Sequence, residues 1–328
     1  MKDERIEEIS EHVDRLLTVD FHTRRFIIQL YDAARRAQGG KPLTYLASRA
    51  LHSRMKRGST VFFLAGFPTY GTFVAEQDGI VGAAMLARTL AELYEVKSII
   101  MTDRSQAEMA RKTLMGAGFF VVENVEDIVF KTQAVVMGFK EDQTVDARNM
   151  IRSYEPSAIV AIERPSRNCN NSYMSMKGLD LSRKIAKLDE FVIKGREEGV
   201  LTVGVADGGN ETGCGLIREE VIKYHPNGHL MASCVPTDFL VFASASNLGA
   251  YGLAGALAAM NDDIFALPDP SVLRRALNAA AANGLHNGPP LWLDPGTDGI
   301  PEDLEEFVVS GIRRMVWEEL NPHFPKFY

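Results

Sequence analysis

Cysteine is scarce. The 328 residues hold three, Cys169, Cys214 and Cys234, with no C-x-x-C pair. Such an odd, scattered set makes neither a zinc ribbon nor a disulfide framework, and reduced thiols are the expectation. Cys214 sits in a glycine-rich stretch, but a cysteine nucleophile needs a histidine base, and none of the polar loops singled out below contains one. His225 and His229 flank Pro226-Asn227-Gly228, a turn, so they do not share a helical face as a zinc pair would, and surface positions are expected. A basic patch with interleaved aromatics is missing too, and the formal net charge of -7 with a pI near 5.6 argues against nucleic acid as a partner. No charge-free apolar run is long enough to span a bilayer; the nearest, Phe239 to Met260, is broken by Ser244-Ala245-Ser246-Asn247 into a strand and a buried helix. The first eight residues are charged, which predicts no secretory signal and a cytoplasmic location. No Lys-Ser/Thr follows the glycines and no G-x-G-x-x-G occurs, so no nucleotide cofactor is expected.

What is present is a set of short apolar runs, each ending in a polar turn. Hydrophobic residues make up 46% of the chain, enough for a full core. Thr60–Gly66, Ser98–Asp103, Phe119–Val122, Ala158–Ile162 and Val200–Ala206 read as buried strands; Ala134–Met137 reads as an edge strand. Helical periodicity separates them, including Leu181, Ile185, Leu188 and Val192. Two short strands are expected around Pro236. The fold class that follows is α/β, a three-layer, mostly parallel doubly wound sheet. Residues 1–57 form an N-terminal helical extension with no chemistry in view, and 58–328 form the α/β domain.

The stretch Gly204-Val205-Ala206-Asp207-Gly208-Gly209-Asn210-Glu211-Thr212-Gly213-Cys214-Gly215 lies between a strand and a helix. Ligands of open α/β sheets bind beyond the carboxyl ends of the strands, where such turns converge. The same residues also make ordinary tight turns and helix caps. Glu76-Gln77-Asp78 follows the first strand and Glu163-Arg164 the fifth apolar run, with a long Asn-rich loop from Ser166 to Gly178 after it. Arg164 reads either as half of an internal ion pair or as the receiver of a substrate carboxylate, oriented by Glu163. Ser246 and Asn247 open a helix that is apolar on every side.

Taken in order, Ala65-Gly66-Phe67-Pro68-Thr69, Glu76-x-Asp78-Gly79, Ala161-Ile162-Glu163-Arg164 with Tyr173 downstream, Asp207-Gly208-Gly209-Asn210-Glu211-x-Gly213-x-Gly215 and Asp238-Phe239 with Ser246-Asn247-x-Gly249-x-Tyr251 resemble the D-glutamate cyclase family. The resemblance spans roughly residues 60 to 260; Leu248 stands where that family tends to have tryptophan. It implies a carbon–oxygen lyase of the hydro-lyase type that turns D-glutamate into 5-oxo-D-proline and water, in D-amino acid metabolism. An amine must lose a proton, attack its own γ-carboxyl carbon and expel oxygen. Asp207, Glu211, Glu163 and Asp78 are the expected catalytic acids and bases. Arg164, Gly208, Gly209, Asn210, Ser246, Asn247, Glu76 and Tyr173 are expected to bind substrate, the backbone N–H groups of Gly208, Gly209 and the helix start serving an oxyanion. So many acids around an anionic substrate suggest Mg²⁺ or Mn²⁺, with Asp207, Glu211 and Asp238 as ligands. A small anionic amino acid is the expected partner, and a homo-oligomer is compatible with the helical extension. Two other readings stay open: a lyase or hydrolase for another small amino or hydroxy acid, and a non-catalytic sensor of an anionic metabolite.

Overall fold

Alternation along the first strand sets the architecture. Phe62 and Leu64 point to one face of the sheet, Val61, Phe63 and Ala65 to the other, and all five are fully buried. In the computed structural model, which describes residues 2–288 and 291–321, this strand is the centre of a seven-stranded parallel sheet. The chain runs α1 (Lys2–Leu17), α2 (Ile27–Ala37), α3 (Leu43–Arg54), β1 (Thr60–Ala65), α4 (Ile80–Tyr94), β2 (Lys97–Asp103), α5 (Ala107–Gly116), β3 (Phe120–Val122) and β4 (Gln133–Phe139). It continues with α6 (Ala147–Tyr154), β5 (Ala158–Ile162), α7 (Asp189–Glu197), β6 (Leu201–Ala206), α8 (Arg218–Tyr224), α9 (Gly228–Met231), β7 (Phe239–Phe242) and α10 (Ser246–Met260). Last come α11 (Pro270–Ala282), the two-stranded hairpin β8 (Gly296–Thr297) and β9 (Ile300–Pro301), and α12 (Glu302–Leu320).

The sheet order is β3-β4-β2-β1-β5-β6-β7. Helices α6 and α7 cover one face; α4, α5, α10 and the terminal helices cover the other, which is the expected three-layer α/β fold. After β1 the chain leaves through α4 towards β2, and after β5 it leaves through α7 towards β6, on the opposite face and in the opposite direction. The carboxyl ends of β1 and β5 are thus the switch point at which such sheets bind ligands. Helix α10 is buried along its whole length, and its glycines admit side chains: Val205 at Gly249, Leu17 at Gly252 and Ile312 at Gly255. Helices α1, α2 and α3 contribute Val13, Leu17, Ile27, Leu30 and Leu51 to the same core as α10.

Several expectations are corrected. Ala134–Met137 lies in β4, an interior strand between β3 and β2, because the short, half-exposed β3 takes the edge. Leu181, Ile185 and Leu188 lie in loop rather than helix; their spacing comes from packing under the loop, and only Asp189–Glu197 is helical. Ahead of Pro236 there is the one-turn helix α9 rather than a strand. Cys169 and Cys234 form a disulfide, with Cα atoms 5.4 Å apart across 65 residues, where reduced thiols were expected; folding brings the two loops side by side. His225 is buried against Phe26, ring centroids 4.9 Å apart, rather than on the surface, and burial pushes its pKa down to about 4. Among the described residues no helix is long and apolar enough to cross a membrane.

Candidate active site

Three carboxylates from three different strand ends meet at the switch point. Asp78 arrives on the β1–α4 connection, Glu163 directly follows β5 and Asp207 directly follows β6; one oxygen from each lies within 4.8 Å of the others, and all three side chains are buried. Glu163 takes a left-handed backbone, φ 45°, unusual for a residue with a side chain and a mark of local strain. Gly79 packs against it: a Cβ there would stand 2.6 Å from the Ile162 carbonyl oxygen and 2.7 Å from Glu163 Cβ, so only glycine admits this approach.

Two helix starts are tied together across the site. Asp78 accepts the N–H groups of Ser246 (3.0 Å) and Asn247 (2.6 Å), capping α10, while Asn247 Oδ1 accepts those of Gly79 (2.9 Å) and Gly82 (2.6 Å), capping α4. Each helix is capped by the other's residue. Ser246 donates its hydroxyl to Glu163 Oε2 at 2.6 Å. Glu211 accepts the N–H groups of Gly208 (2.9 Å) and Gly209 (2.6 Å) and so folds the glycine loop onto itself.

Crowding and burial favour the protonated forms of Glu76, Glu211, Asp78 and Glu163. Burial first, and then the charge of Asp207, raise Glu76 to about 8 and Glu211 to about 7, and push Asp78 and Glu163 well above the carboxylate range. Arg24, from the α1–α2 connection, is the compensating cation: its Nη1 lies 3.1 Å from Asp207 Oδ2, and its other arm pairs with Asp298 of the β8–β9 hairpin. Asp20 holds that connection by accepting the N–H groups of Arg24 (2.9 Å) and Arg25 (2.7 Å), and Thr23 and Arg25 are left-handed on either side.

A cleft of about 400 Å³ opens above this cluster, its lining including Glu76, Glu163, Asn210, Lys177, Phe67, Tyr70, Met176 and Leu179. The expected residues divide sharply around it. Glu76, Glu163 and Asn210 reach the cleft, Asp78 and Asp207 stand with Glu163, and Ser246 and Asn247 brace those acids. Arg164 does not receive a carboxylate: it is fully buried, forms a two-pronged pair with Asp103 (2.8 and 2.9 Å) and donates to the carbonyls of Gly66 and Ala186, because a desolvated guanidinium must be satisfied internally. Glu163 therefore orients Ser246, not Arg164. Tyr173 is also internal, donating to Asp189 Oδ1 at 2.6 Å. Gly208 and Gly209 spend their N–H groups on Glu211 and the α10 start spends its own on Asp78, so neither pair is vacant for an oxyanion.

Asp238 is at the wrong end of the sheet for a shared metal. It pairs with Thr202 at the beginning of β6 and with Arg196, roughly 16 Å along the strand from Asp207 at about 3.3 Å per residue. Cys214 is buried and donates to Glu211 Oε2 at 3.4 Å; burial and that carboxylate push its thiol pKa up, which removes it as a nucleophile.

A family model described as "D-glutamate cyclase-like, C-terminal" matches residues 14–313. The chain belongs to that family. It is also 27% identical over 267 residues to the human protein "D-glutamate cyclase, mitochondrial", an alignment covering 79% of this chain and 40% of that relative. The chain thus spans well under half the length of the curated relative it matches. In this D-glutamate cyclase-like chain the matched region begins inside α1, so Arg24 falls within it. Sequence reasoning passed over Arg24, Asp298 and Lys177. The available signal was the polar run Asp20-Phe21-His22-Thr23-Arg24-Arg25 between two helical stripes, longer and more charged than a helix connection needs.

Proposed function

We propose that this chain is a D-glutamate cyclase-type hydro-lyase, dehydrating D-glutamate to 5-oxo-D-proline. The observation that carries the reading is the group of proton-holding carboxylates at the switch point beneath an open cleft: ring closure needs one group to take a proton from the substrate ammonium and another to give one to the departing oxygen. Glu76, protonated at neutral pH, faces the cleft and suits the donor's role. Asp207, with Arg24 at its side, suits the acceptor's. Lys177, the basic residue on the cleft lining, takes the substrate carboxylate that sequence reading gave to Arg164. Folding the substrate so that amine and γ-carboxyl meet supplies a large share of the rate.

Asp78, Glu163 and Asp207 fit a hard divalent cation in donor type and spacing, and a positive charge would offset their mutual repulsion. When bound there, Mg²⁺ or Mn²⁺ would supply charge stabilisation. A cytoplasmic location and a homo-oligomer belong to the same proposal.

One observation favours the sensor reading instead: both backbone N–H pairs expected to hold an oxyanion are already occupied. Incubating the purified chain with a panel of D- and L-amino acids separates the two. Loss of one water from D-glutamate, followed by mass, supports the lyase; a thermal shift with no product from any member supports the sensor.

A further inference from the structure

Two neighbouring side chains outside the main sheet reach towards two different acids of the cluster. In the β8–β9 hairpin Thr297 pairs with Ile300, and the two residues between them, Asp298 and Gly299, are both left-handed (φ 56° and 87°), the backbone that a two-residue Asp-Gly turn requires. Thr297 is fully buried, and its hydroxyl oxygen accepts Asn247 Nδ2 at 2.8 Å; the other partner of that nitrogen, the Gln77 carbonyl, stands farther off at 3.3 Å. An amide is planar and turns as one piece, so anchoring Nδ2 on Thr297 also fixes where Oδ1 points. That oxygen accepts the N–H groups of Gly79 and Gly82 on either side of the α4 start, and the backbone N–H of Asn247 goes to Asp78. The next residue along, Asp298, pairs with Arg24, whose Nη1 lies 3.1 Å from Asp207 Oδ2. Just before both, Gly296 gives its N–H to Oε1 of Gln77, the neighbour of Asp78, at 3.2 Å. Among the described residues that line the cleft, neither Thr297 nor Asp298 appears.

We propose that Thr297 and Asp298 are positioning residues of the site, Thr297 holding Asp78 through Asn247 and Asp298 holding Asp207 through Arg24. This rests on the reading of the acid cluster as the reacting groups of a lyase and adds two residues that touch no substrate. The sheet sets where the backbones of the acids stand. Carboxylates that repel one another also need partners that fix how their side chains are turned, and one short hairpin supplies a partner to each arm.

The test is steady-state kinetics with D-glutamate on the intact chain and on Thr297→Val, Thr297→Ser and Asp298→Gly, with rates referred to the fraction folded by circular dichroism. Valine keeps the shape of threonine and loses the acceptor; glycine suits the left-handed turn and loses the carboxylate. Both are expected to lower kcat at least about tenfold with KM within about twofold of the wild type, since a misplaced reacting group slows the step and leaves binding alone. Thr297→Ser, which keeps the hydroxyl, is expected to return kcat to within about twofold. An unchanged kcat in Thr297→Val and Asp298→Gly, or a KM that rises at constant kcat, overturns the proposal. Hydrogen exchange keeps the two questions apart: in Thr297→Val the Gly79 and Gly82 amides are expected to exchange at least about tenfold faster while those of β1 keep their rates. That pattern in a chain that makes no product from D-glutamate retains the positioning by Thr297 and removes the lyase reading. Product from the wild type with kcat untouched in the variants retains the lyase and removes the positioning residues. No product and no change in exchange removes both.

Discussion

Glu305 lies in the first turn of α12, fully buried, with Tyr251 of α10 donating to its Oε2 at 2.8 Å. Burial pushes its pKa from 4.5 up to about 8, against the pull of hydrogen bonds from Thr297 and Tyr251. Between those two values the folded chain binds a proton that the unfolded chain has lost, so stability falls as pH rises through that window and levels off above about 8. At pH 7 the interval from 4.5 is about 2.5 pH units, and at 1.36 kcal/mol per unit the penalty reaches about 3 kcal/mol as an upper figure. Glu305→Gln keeps an oxygen for Tyr251 and has nothing to ionise. Urea unfolding of both forms at pH 4.5 and pH 7 is the assay. The variant should gain about 2–3 kcal/mol on the wild type between the two conditions, read as a shift in midpoint at constant slope. Asp14, raised to about 6 by burial, titrates in both proteins and cancels in the difference. A Glu305→Gln effect that is the same at both pH values would refute the reasoning, since a packing change carries no pH dependence.

Arg164→Met should destabilise the chain by about 3–5 kcal/mol, because Asp103 is left a buried carboxylate without a cation, keeping only the N–H of Ala186; a fully stable variant that has lost only substrate affinity would restore the carboxylate role denied here. Asp78→Ala and Asn247→Ala should each cost about 1–2 kcal/mol, with coupling above 0.5 kcal/mol in a double-mutant cycle measured by denaturant, since each caps the other's helix. Turnover should fall as pH rises through about 8, where Glu76 loses the proton it donates, and Glu76→Gln should abolish that limb; a wild-type profile flat from pH 6 to 9.5 rules the donor out. Cys169→Ser should lower stability by about 4 kcal/mol under oxidising conditions, the chain-entropy value for a 65-residue loop, and by little when dithiothreitol is present throughout. Equal melting points in oxidised buffer would count against the bond.

The strands were legible because both faces of β1, β2, β5 and β6 are covered, so each reads as an unbroken apolar run. That same burial made Glu163 and Asp207 stand out, since carboxylates directly after buried strands must share the carboxyl edge of a parallel sheet, and Asp78 reaches the same edge on the connection after β1. Partners were a different matter. Whether Arg164 faced a ligand or Asp103 depended on β2 lying beside β1, and whether Asp78 capped α4 or α10 depended on how β7 delivered its helix; neither is encoded within a few residues of the side chain concerned. Leu181, Ile185 and Leu188 misled because residues beneath a packed loop can repeat at helical spacing without a helix. Arg24 was missed because its region is otherwise core-forming helix, and its partner Asp298 is 274 positions away. The pattern has a chemical consequence. The acids are fixed by the sheet, whereas Arg24, which compensates them, and Lys177, on the cleft lining, come from loops outside it. A change of substrate within this fold is therefore most readily made by altering the α1–α2 connection and the loop after β5, leaving the acid cluster as it stands.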